Sequence, residues 1–141
     1  MGEILSKKMT EEKCRKFPEY KEEMQRLLRE QPKERANCLS SILYLLGMKG
    51  ELDCVSPHDF PSFRANWKEI GQNELQQGDL IVRFDGKNGA MDHIGIVTQT
   101  SPVSVFHKLN WFPYALDSVD IFRDSIIVKK ESYLERYFRT S

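Results

Sequence analysis

The stretch that decides the fold is LIVRFDGKNGAMDHIGIVTQTSPVSVFHKL, residues 80–109. Leu80 to Phe84 is a short apolar run entered through the turn residues of LQQGD, and it predicts a strand. DGKNGAMD follows, rich in Gly, Asp and Asn, and predicts a turn. HIGIVTQ then predicts a second strand over 93–99, and VSVFHKL a third over 103–109. Strands this close in sequence pair antiparallel.

Upstream of residue 75 the pattern is helical. NCLSSILYLLG, residues 37–47, carries its apolar residues at 39, 42, 43 and 46, one buried helix face. Asn37 is a suitable N-cap and Gly47 a suitable stop. Residues 10–16 and 18–30 predict one or two charged helices around Pro18, with Phe17, Tyr20, Met24, Leu27 and Leu28 as a narrow apolar stripe. A helical turn is expected near 61–68. Downstream, a strand is expected at 124–129 and a short closing helix in ESYLERYFR, 131–139. Helices first and strands afterwards give an α+β domain, its N-terminal helices packed on a central antiparallel sheet. The chain reads as one domain, 1–141, with residues 1–32 a helical N-terminal extension. That extension is expected to be a solvated cover; its functional alternatives are a lid, a dimer contact or a helix that binds a partner protein.

Composition narrows the function. The 141 residues hold 21 basic and 21 acidic side chains, a balance that argues against nucleic-acid binding. No apolar run approaches the ~20 residues of a membrane span. MGEILSKKMTEEK lacks a signal-peptide h-region, so a cytoplasmic protein, or one exported by a non-classical route, is expected. Gly2 with Ser6 matches the myristoylation pattern formally, a match of the kind that arises by accident. Three cysteines, at 14, 38 and 54, do not make a disulfide framework. Cys14 and Cys54 have no evident chemical setting. Cys38 sits in the first turn of its helix, where the positive end of the backbone dipole eases ionisation of a thiol.

A nucleophilic cysteine needs a base and a group to orient that base. The chain has three histidines, His58, His93 and His107. With a hairpin centred at Thr100, positions 93 and 107 fall opposite each other, their Cβ atoms about 4.5–5.5 Å apart. One imidazole then orients the other. Gly95 beside His93 leaves room for close approach. Asn110 and Asp92 are lesser candidates for the orienting group.

These pieces carry a resemblance. NCLSSILYLLG, LQQGDLIVRF, DHIGIVTQ and VFHK, in that order, resemble the NlpC-type cysteine peptidases of the papain-like superfamily, which include cell-wall endopeptidases and amidases. The likeness covers roughly residues 35 to 109. It implies Cys38 as nucleophile, His93 as general base and His107 as the residue that orients His93, with Gly78 and Asp79 shaping a turn. The substrate implied is a peptide or peptidoglycan fragment, cut at an amide bond; Asp92 and Trp111 are candidate substrate contacts. No cofactor and no metal are implied. The family pattern Asp-Cys-Ser-Gly is replaced by Asn37-Cys38-Leu39-Ser40. Two other functions compete: a catalytically inactive peptide- or wall-binding domain of the same fold, and a metal-binding module drawing on Cys54, His58, Asp92, His93 and His107.

Overall fold

The computed structural model describes residues 14–32, 36–108, 113–124 and 133–140. The helices are α1 (Lys21–Glu30), α2 (Cys38–Leu45), α3 (Phe60–Phe63) and α4 (Val119–Asp124). The strands are β1 (Lys68–Ile70), β2 (Leu80–Asp85), β3 (Met91–Thr100), β4 (Val103–Lys108), β5 (Tyr114–Ser118) and β6 (Tyr133–Arg139). They form one six-stranded sheet in the order β1-β6-β2-β3-β4-β5, and each pairing is antiparallel.

The sequence explains most of these elements. Along α2, Leu39, Ile42, Leu43 and Leu46 are all buried, as their spacing requires. Asn37 caps the helix: its side chain accepts from the Ser40 N–H, and Ser40 Oγ accepts from the Asn37 N–H. Gly47 ends the turn at φ +77°, in the left-handed region. In α1, Tyr20 at the cap and Met24 and Leu27 within the helix are buried in the same core as α2.

Strand alternation gives the sheet two different faces. On the inner face, Leu80, Val82, Phe84, Ile94, Ile96, Phe106, Tyr114 and Phe138 pack with α1, α2 and Phe60 in one large core. On the outer face, Ile81, Val97 and Val105 pack under Phe122 of α4 in a smaller one. Asp79 anchors the entry to β2: its carboxylate takes two hydrogen bonds from Arg139, each of 2.9 Å, and one of 2.7 Å from the Gln76 N–H.

Four expectations change. The segment 131–139 is not a helix; from Tyr133 it is β6, lodged between β1 and β2. Leu134, Glu135 and Arg136 favour helix locally, but pairing on both sides and burial of Phe138 outweigh that preference. Residues 14–16 are not helical, and the first described helix begins at Lys21. The turn expected near 61–68 lies earlier, as a 3-10 turn over Pro57–Asp59 running into α3. The hairpin register differs too: His107 pairs with Gly95 rather than His93, and the ladder shifts between Val97 and Gln99. The expected strand at 124–129 lies, but for Asp124 at the end of α4, outside the described residues. The strands β1 and β5 and the helix α4 were not anticipated. No helix among the described residues is long and apolar enough to cross a membrane.

Candidate functional site

Cys38 is the first residue of α2. The Asn37 side chain donates to the Val55 carbonyl at 2.7 Å and lies 3.4 Å from the Cys54 sulfur, holding the chain before Cys38 against the loop that follows α2. Cys38 itself is 7% exposed and belongs to the inner core. Burial pushes its thiol up to about 11, against the pull of backbone groups of Ile94, Leu39 and Cys38 itself and the charge of Lys108. The eased ionisation expected of a first-turn thiol is therefore reversed. The helix terminus offers partial charges, while desolvation penalises a whole one.

The two histidines meet, though not as direct cross-strand partners. They are diagonal neighbours on one sheet face, with Gly95 opposite His107 and Arg83 opposite His93. His93 Nε2 lies 2.9 Å from His107 Nδ1, and His107 Nε2 lies 2.8 Å from Asp117 Oδ2. The carboxylate only accepts, so His107 Nε2–H donates to it and His107 Nδ1 is left to accept from His93 Nε2–H. This chain of bonds leaves Nδ1 as the lone-pair nitrogen of His93. Burial, then the charges of His107 and Arg83, hold the His93 imidazole well down, at about 3.

The histidine pair and the sulfur are on opposite faces of the sheet. Ile94, next to His93, points inward to the core that holds Cys38. His93 points outward and stacks on Phe122, ring centroids 4.8 Å apart. Phe122 also meets His107 edge-on at 5.2 Å. Among the described residues no hydrogen bond joins Cys38 to either ring. The set Cys38 (nucleophile), His93 (base) and His107 (orienting group) is thus split: the two imidazoles come together and the thiol does not join them. The physical reason is strand parity, which the two-residue displacement of the hairpin register leaves unchanged.

Asp92, a candidate substrate contact, sits in β3 where the β2–β3 ladder shifts register, between the Phe84–Met91 and Arg83–His93 pairs. Trp111 and Asn110 lie outside the described residues. No group of three or more His, Cys, Asp and Glu among the described residues could hold a metal ion.

Gly95 is the tightest point on the outer face. An added Cβ would run into Val105 Cγ1, lie 2.8 Å from Phe122 Cε1 and lie 3.0 Å from the Phe106 carbonyl oxygen. The room beside His93 is thus already filled by Val105 and Phe122. Gly95→Ala is expected to cost about 1–3 kcal/mol by overpacking; thermal unfolding of the variant measures it, and an unchanged midpoint would show that Phe122 yields freely.

Asp117 was missed, and so was the enclosure of the imidazoles by Phe122. The only sequence signal for Asp117 is a carboxylate ten residues past His107, which has meaning only once β5 is known to pair with β4. No family model, no curated protein and no solved structure matches the chain.

Proposed function

We propose that this chain is a non-hydrolytic peptide-binding domain built on a papain-like plan. One observation carries the reading: the sheet stands between the Cys38 sulfur and the paired imidazoles. A thiol raised to about 11 is protonated at neutral pH, and a base on the far side of a packed sheet does not take its proton. The NlpC-type resemblance supplies the ligand class, a short peptide such as a peptidoglycan stem peptide.

The test pairs thiol labelling with a cleavage assay. Iodoacetamide is expected to modify the exposed Cys54 fastest and the buried Cys38 slowest. Purified stem peptides incubated with the protein are expected to stay intact. Preferential labelling of Cys38, together with peptide cleavage that Cys38→Ala abolishes, would overturn the reading.

A second reading, a cysteine amide hydrolase, has one observation in its favour. The hydrogen-bonded chain His93–His107–Asp117 fixes the orientation of an imidazole through a second imidazole and a carboxylate, as the base of a nucleophilic enzyme is fixed. It asks for Cys38 and His93 to share a face, and the same two assays decide it.

A further inference from the structure

A groove of about 290 Å³ lies between the loop that carries α3 and the β2–β3 turn. Its floor is apolar: Phe60, Phe84 and Met91, all buried beneath the surface. Its rim carries His58, Arg64 and Asn88, and no Asp or Glu lines it. The Arg64 guanidinium stacks over the Phe138 ring at 5.3 Å. A second guanidinium, Arg136, stacks over the Phe84 ring of the floor at 5.6 Å. Neither arginine forms an ion pair with a carboxylate among the described residues. Arg123 is bound to Glu135 and Arg139 to Asp79, while the buried Arg83, like Arg64 and Arg136, sits over an aromatic ring, that of Tyr133, at 3.6 Å. Arg64 on the rim, stacked on a ring and without a carboxylate partner among the described residues, sets a positive charge beside an apolar floor.

We propose that this groove binds the C-terminal end of a peptide, the carboxylate facing Arg64 and the last side chain, an apolar one, resting on Phe84 and Met91. Planar guanidinium groups suit carboxylates by geometry as well as charge. The Phe138 ring holds the Arg64 head in place, so little side-chain freedom is lost on binding. Pockets for drug-sized ligands span roughly 300–1,000 Å³, so this groove is at the small end and takes the end of a chain rather than its middle. A bare anion would leave the floor uncovered, and a neutral apolar group would leave the Arg64 charge unanswered by the ligand. This inference rests on the binding reading above and adds where the peptide sits and which end is read.

Titration of the full chain with N-acetyl-Ala-Phe and with its C-terminal amide, followed by amide NMR shifts, tests it. The free acid is expected to move signals of residues 58–64 and 84–91, and to bind at least tenfold more tightly than the amide. Arg64→Ala is expected to weaken the acid at least tenfold and leave the amide unchanged, while Arg64→Lys keeps part of the preference. Inorganic phosphate is expected to compete weakly. Equal binding of acid and amide, no effect of Arg64→Ala in a variant whose spectrum is otherwise native, or phosphate competing as well as the acid would each overturn the proposal. The same spectra report whether the acetylated peptide is cut. Cleavage with the groove shifts intact would sink the non-hydrolytic reading and leave the groove standing; an uncut peptide that moves no groove signal would do the reverse.

Discussion

Phe122→Ala is expected to remove about 3–5 kcal/mol of folding stability, the range for truncating a buried aromatic ring. Phe122 is fully buried and closes the smaller core over Ile81, Val97 and Val105. Its ring also covers both imidazoles, stacked on His93 and edge-on to His107. Two losses therefore combine. The apolar contacts disappear, and the cavity left behind adjoins polar groups that water can reach. A domain holds only about 5–15 kcal/mol in total, so the variant should unfold at a much lower urea concentration, with the slope of the transition unchanged. Ile121→Ala, one residue away and 53% exposed, is the control and should change stability by no more than about 0.5 kcal/mol. Equal midpoints for the two variants would mean that α4 does not seal the outer face.

The α4 helix leaves no signal in the sequence. The segment Val119–Asp124 is too short to show a helical period, and its single buried residue gives no stripe. Only the sheet beneath it explains why Phe122 is there. The long, strongly patterned elements were legible for the opposite reason. The α2 helix repeats its apolar residues at the helical spacing and has its own cap, so local signals suffice. The β2, β3 and β4 strands are joined by short turns, and the turn chemistry of DGKNG and TSP marks their ends. The β6 strand carries residues of mixed preference, and its state is set by β1 and β2, distant in sequence. The candidate site failed to assemble for a subtler reason. Sequence order places Cys38, His93 and His107 as the NlpC-type pattern does, but order says nothing of face. Whether His93 or Ile94 looks toward α2 depends on the parity of a whole strand. The apolar pair Ile94 and Ile96 takes the inner face, because the larger core has more apolar surface to match. His93 and Gly95 are left to the outer one.

The second large effect is on stability against pH, and it comes from His93. In the folded chain this imidazole is 2% exposed and titrates at about 3, lowered by burial first and by the charges of His107 and Arg83 second. In the unfolded chain it titrates near the ordinary value of about 6.5. Between those values the unfolded state binds a proton that the folded state refuses, so stability rises with pH. The contribution is whole above about pH 6.5 and is lost as pH falls, at about 1.4 kcal/mol per unit. Acidifying from neutral to pH 5 should thus cost about 2 kcal/mol through this one ring. The window from pH 7 to 5 keeps carboxylate titration out of the comparison. Below about pH 4.5 carboxylates join in: Glu23, lowered chiefly by its Arg26 bond, and Glu135, where burial raises but the bonds from Arg123 and Tyr137 prevail. His93→Gln removes the titration and keeps a hydrogen-bond donor beside His107 Nδ1. Whatever its stability at pH 7, the variant should show a flatter dependence on pH, with the other two histidines still present in both proteins. Urea unfolding at half-unit steps gives the two slopes. Parallel curves would mean that His93 is hydrated in the folded chain, and the packed outer face, with Phe122 as its seal, would have to be abandoned.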